Sequence, residues 1–314
     1  MKKKLTAMLL AAGMLLTGCA DKTESSVQES SAAETTAAAT TTEPESNRKR
    51  MVILGDSISA GYGLDDTDSE RYGVLLREKL NEDAGAMLWE ENNYAISGDD
   101  SSDLLYRLEV GRAVRLPSAD IIIICIGANN MLGAYTDYAQ ELLGDRDIES
   151  LAEMEESELD ALEQELIEQV ENDTEAEAKL EAAIDKGLEQ LKSDLEEIYS
   201  YIRERNETAE IYVMNVYNPY EGMTDPLPML EQPAGDFAQE KIDRCNAILA
   251  DWEQAHPDLH AVDLAAAFSG WNPKPIIGSA GAEGAGEAYL DPHPNADGHK
   301  KIADLLYNSI TKAE

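Results

Sequence analysis

Residues 119–127 read "ADIIIICIG". A continuous apolar, β-branched run with no polar alternation suits a strand covered on both faces, since successive side chains enter two different apolar layers. Such a strand needs helices above and below it. Four further stretches read as strands: "MVILG" (51–55), "LWEENNYAI" (88–96), "AEIYVMNVY" (209–217) and "LHAVDL" (259–264). Between and after them, apolar residues recur at spacings of three and four: Tyr72, Leu75, Leu76 and Leu80; Leu104, Leu105 and Leu108; Ile184 to Ile202; Ile302, Leu305, Leu306 and Ile310. Each stripe predicts a helix with one buried face. Strands alternating with helices predict a parallel sheet inside a three-layer α/β/α sandwich.

The first fifty residues stand outside this pattern. "MKKKLTAMLLAAGMLLTGCA" sets three lysines before an apolar stretch of about a dozen residues, too short for a stable bilayer-spanning helix and of the form of an export signal. "LTGC", Leu16 to Cys19, resembles a bacterial lipobox, which implies lipidation of Cys19 and cleavage just before it. Residues 20–47 are small and polar without apolar periodicity, so they cannot offset chain entropy by burial and read as a disordered tether. As a flexible coil of about 30 residues it spans roughly 30 Å. The domain organisation expected is a lipoprotein signal at 1–19, a tether at 20–47 and one globular domain at 48–314. The protein is then extracytoplasmic and held at the bacterial membrane through its lipid alone.

The chain carries 25 basic and 63 acidic residues, a formal net charge of −38. That surface repels nucleic acid, which excludes it as a partner, and disfavours anionic lipid. Much of the charge is local: residues 137–197 contain 23 acidic and 4 basic side chains, a net 4 − 23 = −19. Within the acidic insertion at 137–178, Leu159, Leu162, Leu166 and Val170 keep helical spacing, so one or two surface helices are expected, either a solvated excursion or a lid or partner-binding arm over the site. Cys125 in a strand and Cys245 on a helix read as core thiols. No spacing suits a metal; "DDTDSE" lacks the Gly and Glu of an EF-hand loop and reads as a solvated turn.

In a parallel sheet every strand-to-helix loop emerges at one edge, so polar residues just past different strands converge. Ser57 follows the first strand, Gly98 the second and Asn129 the third, while His293 precedes the last helix. A serine hydroxyl needs a base, and His293, in a Pro-rich loop with Asp291 two residues earlier, is better placed than His256, His260 or His299. Asp291 would fix its tautomer and stabilise the imidazolium. The backbone N–H groups of Ser57 and Gly98 and the Asn129 amide could supply three oxyanion donors. Asp56 is assigned to holding the turn. Singly these are weak signals, because Gly and Ser suit any tight turn.

The stretches "GDSISAGYG", "ISGDDSSDLL", "IGANN" and "DPHPNADGH" resemble the four sequence blocks of the SGNH (GDSL) hydrolase family, over about residues 50–312. The resemblance implies a flavodoxin-like five-stranded parallel sheet in the order 2-1-3-4-5. It also implies ester hydrolysis with Ser57 as nucleophile, Gly98 and Asn129 in the oxyanion hole, His293 as base, and no cofactor or metal. Two residues depart from the family pattern. Asn130 replaces an Asp, with little mechanistic cost expected; and the acid usually three residues before the His is Leu290, leaving Asp291 or a backbone carbonyl to orient the imidazole.

The function expected is a monomeric serine esterase acting through an acyl-enzyme on small-molecule or glycan esters, with carbohydrate O-acyl (acetyl) groups favoured. The alternatives are a lysophospholipase or acyl-esterase at the membrane, and a catalytically silent binding lipoprotein. An α/β-hydrolase elbow is excluded by spacing, since it needs Gly-x-Ser-x-Gly.

Overall fold

The computed structural model describes residues 48–313 apart from 145, 147–153, 155, 225–231, 272–275 and 277–291. Five parallel strands, β1 (Lys49–Gly55), β2 (Trp89–Asn93), β3 (Ile121–Cys125), β4 (Glu210–Met214) and β5 (Leu259–Val262), form one sheet in the order β2-β1-β3-β4-β5. The register of the three inner strands runs Met51 to Ile121 between β1 and β3 and Ile122 to Ile211 between β3 and β4. This is the α/β sandwich and strand order that the resemblance implies.

The alternation of side chains explains the unbroken apolar runs. Val52, Leu54, Ile122, Ile124 and Ile211 point into one layer, with α4 (Ser101–Glu109), α7 (Ala176–Arg205) and α8 (Ala234–Ala255). Met51, Ile53, Ile121, Ile123 and Tyr212 point into the other, with α3 (Tyr72–Ala84) and α10 (Ala296–Ala313). The Ile184, Leu188, Leu191, Leu195, Ile198 and Ile202 stripe of α7 is buried along its length. Cys125 and Cys245 are buried free thiols; burial pushes Cys245 up to about 12 and Cys125 well above the ordinary thiol range, so neither is a nucleophile at neutral pH.

Two strands end sooner than their apolar patterns suggest, for a local reason in each case. After β2, Asn93 turns back on itself, its Oδ1 accepting from Ala95 N at 2.9 Å while its Nδ2 donates to Ser59 O at 2.7 Å. After β4, Asn215 accepts from Ala265 N, and the backbone of Val216 exchanges two hydrogen bonds with the Asn246 amide in place of a strand. The amides brace these ends beside the last backbone bonds to the neighbouring strands, Tyr94 N to Ile53 O at 2.8 Å, Ile96 N to Gly55 O at 3.0 Å and Asn215 N to Val262 O at 3.2 Å.

Three shorter helices, α1 (Ser57–Ala60), α2 (Thr67–Glu70) and α9 (Leu264–Phe268), cap strand or loop ends. The Asp66 carboxylate in "DDTDSE" caps α2, accepting from Asp68 N and Ser69 Oγ. The acidic insertion is helical: α5 (Ala128–Leu143) leaves β3, and α6 (Glu156–Asn172) precedes α7. Leu162 and Leu166 of α6 are buried, and Arg146 clamps Glu165 with bonds of 3.0 and 2.9 Å. The side chains of Leu159 and Val170 lie outside the described residues, as do residues 1–47 with Cys19. Among the described residues no helix is long and apolar enough to cross a membrane.

Candidate active site

β1 ends at Gly55, where the chain passes close against the backbone of β3. A Cβ on Gly55 would stand 2.3 Å from Cys125 O, and φ is +148°, so glycine is required here. The next residue, Asp56, caps α1: its Oδ1 accepts from Ile58 N at 3.0 Å and its own N–H donates to Cys125 O at 3.2 Å. Ser57 then occupies the first position of α1, where Gly61 N and Tyr62 N both donate to its carbonyl oxygen at 3.0 Å. The turn is fixed from both sides.

His293 arrives from the far end of the chain. Its Nε2 lies 2.8 Å from Ser57 Oγ across a sequence separation of 236, and both residues are 5 % exposed. The Tyr62 ring packs 4.6 Å from the imidazole, the Tyr217 hydroxyl donates to Pro292 O, and Pro294 bridges to Ile276. These contacts hold the short loop that presents the imidazole. With the ring proton assigned to Nδ1, Nε2 accepts the serine hydroxyl. Asp291 lies outside the described residues.

Gly98 comes from the loop after β2, and Asn129 from the first turn of α5, just past β3. Gly98 has φ +87°, which a residue with a side chain rarely adopts. Asn129 Nδ2 donates to Asp99 O at 2.9 Å. An amide nitrogen carries two protons, so that bond orients the group and leaves a second proton as donor. Asp99 is itself gripped by Arg107 at 2.5 and 2.8 Å, which ties the Gly98–Asp99 turn to α4.

The site rests on a buried polar network that sequence reasoning passed over. Asn130 Oδ1 accepts from Ser101 N at 3.2 Å, and its Nδ2 donates to Ser101 Oγ at 2.8 Å and Gly187 O at 3.3 Å. Ser101 Oγ donates onward to Asp194 Oδ2 at 2.6 Å, and Asp194 also accepts from Ser102 Oγ and Gln190 Nε2. Gly187 is the contact point of α7 with α5, since a Cβ there would meet Asn130 O at 1.9 Å. The one available signal was a polar residue, Asp194, inside the apolar stripe of α7.

Burial sets the electrostatics behind the nucleophile. Full burial pushes the Asp56 carboxyl up to about 7, against the opposing pull of Ile58 N–H and His293. His299, 0 % exposed, is pushed down to about 3 by burial and by the Arg71 charge; it stays neutral, and its Nδ1 accepts Tyr72 N at 3.2 Å. It braces α3 against α10. His256 and His260 pair with Glu196 and Glu210, away from the strand ends that carry Ser57 and Asn129. Among the described residues no group of His, Cys, Asp and Glu is arranged to hold a metal ion.

Known proteins agree with this architecture. The family model for the GDSL-like lipase/acylhydrolase family matches residues 53–301. A lipase from a goat rumen metagenome is similar at TM-score 0.54 and 18 % identity, covering 83 % of this chain and 97 % of that one. An extracellular lipase of Streptomyces rimosus is similar at TM-score 0.52 and 19 % identity, covering 83 % and 99 %. In sequence, the uncharacterized protein YpmR of Bacillus subtilis (strain 168) is 24 % identical over 323 residues, covering 99 % of this chain and 98 % of that protein. With the family's motif stretches at one sheet edge, the chain belongs to the GDSL-like lipase/acylhydrolase family and is a hydrolase of ester substrates built on the SGNH fold.

Proposed function

We propose that the protein is a lipid-anchored serine esterase in which Ser57 is the nucleophile and His293 the general base. The observation that carries this reading is the 2.8 Å contact between Ser57 Oγ and His293 Nε2, both nearly buried. Ser57 Oγ attacks the ester carbonyl as its proton passes to Nε2. The oxyanion is met by the N–H groups of Ser57 and Gly98 and by Asn129 Nδ2. His293 then protonates the leaving alkoxide, and water, activated by the same imidazole, releases the acyl group. Asp291 is assigned to the imidazolium.

The substrates we assign are O-acyl esters on carbohydrate, reached from a lipid anchor at Cys19. Supporting this over membrane lipid is the charge of −38, which works against approach of the catalytic domain to anionic headgroups. A fluorophosphonate probe should label the protein at Ser57, and Ser57→Ala should lose labelling and drop p-nitrophenyl acetate kcat/KM by roughly 10⁴-fold. An unlabelled wild-type chain would end the esterase reading and favour a binding lipoprotein. Acetate release from O-acetylated oligosaccharide, set against fatty-acid release from lysophospholipid, decides the substrate class.

A further inference from the structure

Asp194 lies on α7 between Leu191 and Leu195 of the buried stripe and is 3 % exposed. The bonds it accepts, from Ser101 Oγ at 2.6 Å, Ser102 Oγ at 2.9 Å and Gln190 Nε2 at 2.6 Å, all come from uncharged groups. A buried carboxylate on neutral donors keeps much of its desolvation cost, which an apolar side chain would not incur. For stability alone another leucine would suit this position, which points to a use other than stability. The bonds of Asp194 lead to the catalytic edge.

Gly98 and Asn129 offer their protons from two separate segments, the turn that leads into α4 and the first turn of α5. Gly127, at the N-cap of α5, has no side chain to cap the helix, and Asn130 reaches sideways instead, to Ser101 and to Gly187 O on α7. Ser101 opens α4, where the first backbone N–H groups lack intrahelical acceptors. The Asp100 carboxylate takes Ser102 N and Asp103 N, and Asn130 Oδ1 takes Ser101 N, so the start of α4 is completed from α5. Ser101 Oγ, in a fully buried residue, accepts from Asn130 Nδ2 at 2.8 Å and gives its own proton to Asp194. The carboxylate thereby commits the hydroxyl proton and leaves the oxygen's lone pairs for Asn130, the neighbour of Asn129. Asn129 Nδ2 closes the circuit by donating to Asp99 O at 2.9 Å, two residues before Ser101.

We propose that Asp194 is a positioning residue for the oxyanion hole: through Ser101 and Asn130 it sets the spacing between the Gly98 turn and the start of α5, and so the direction of the second Asn129 Nδ2 proton. This rests on the assignment of Asn129 as an oxyanion donor made above. A donor aimed at charge that develops only in the transition state acts on kcat and not on substrate binding, and a misplacement of about 1 Å can cost on the order of 10²-fold. Ser102 supplies an internal control. Its hydroxyl donates to the same Asp194 Oδ2 but stands outside the circuit through Asn130 and Asn129.

The test is a double-variant cycle read by steady-state p-nitrophenyl acetate hydrolysis, with urea midpoints showing that each variant is folded. Ser101→Ala should lower kcat about 10-fold with KM within about two-fold. Added to Asn129→Ala it should cost less than about two-fold more, because the donor it positions is already gone. Ser102→Ala, which takes a bond from the same carboxylate, should keep kcat within about two-fold of wild type. Asp194→Leu should match Ser101→Ala, and Asp194→Asn should recover most of that loss, since its amide oxygen serves both hydroxyls while the Gln190 amide turns over to meet its nitrogen. Losses from Ser101→Ala and Asn129→Ala that multiply, a loss confined to KM, or an equal loss in Ser102→Ala overturns the positioning role and leaves the esterase reading standing. An Asn129→Ala variant as fast as wild type overturns the oxyanion assignment and the positioning role together.

Discussion

Replacing Asn130 by an aspartate changes a single group of atoms and inverts the hydrogen bonding at one end of a buried side chain. Asn130 is 5 % exposed and its Nδ2 donates to Ser101 Oγ and Gly187 O. A carboxylate oxygen in that position would face two acceptors. Ser101 cannot turn its proton round, because that proton is given to Asp194 at 2.6 Å, and Asp194 brings a second negative charge to the same serine. Two buried groups left unsatisfied, at about 1–3 kcal/mol each, put the loss at about 2–6 kcal/mol when the new carboxyl is ionised. Protonation restores one donor, so the folded-state pKa of the introduced carboxyl is raised above its unfolded value. The penalty is then small below that unfolded value and grows as pH rises through the folded one. Urea midpoints of wild type and Asn130→Asp at about pH 5 and about pH 8 measure this directly. The gap should widen with pH, and adding Asp194→Asn should recover at least half of it by removing the competing charge. A gap that is the same at both pH values, or a double variant no better than the single, refutes this account of why the chain carries Asn where the family carries Asp.

Asp56→Asn keeps the acceptor for Ile58 N and removes the buried acid. Between an unfolded pKa of 3.8 and a folded one of about 7 the folded state holds a proton that the unfolded state has lost. Asp56 therefore takes stability away as pH climbs through that window, on the order of a few kcal/mol, and the variant should gain on wild type in urea midpoint over the same range. A constant difference would place the acid in a more solvated setting than its burial implies. Asn129→Ala should lower kcat about 10²–10³-fold with KM within a few-fold, read by steady-state ester hydrolysis; a pure KM effect would remove Asn129 from the oxyanion site. Gly187→Ala drives a Cβ to 1.9 Å from Asn130 O, so separating α7 from α5 should cost about 3 kcal/mol in chemical denaturation. Unchanged stability there would mean that the helix contact slides freely.

The strand that announces itself as "IIIICI" became β3, with both faces of its five residues buried. Its reading needed no tertiary knowledge, because an unbroken apolar run has one economical use in a soluble fold, between two helical layers. The helix stripes were equally plain, since a 3.6-residue period survives any packing partner. Strand ends were not: Asn93 and Asn215 brace the ends of β2 and β4 by bonds to residues 34 and 50 positions away. The candidate residues Ser57, Gly98, Asn129 and His293 were found because topology alone gathers the loops after parallel strands. Their supports were hidden, because Asn130, Ser101, Gly187 and Asp194 belong to separate elements and carry no mutual spacing.

Sequence by itself thus determined the layers, the strand alternation and the residues that chemistry could use at one sheet edge, all consequences of local periodicity and of residue type. Tertiary structure alone decided that Ser57 and His293 meet at 2.8 Å across 236 residues, and that Asp56 is sealed from water. It also decided that a carboxylate on α7 makes an amide the fitting residue at 130. Distances and desolvation are properties of the packed whole, and no stretch of chain contains them.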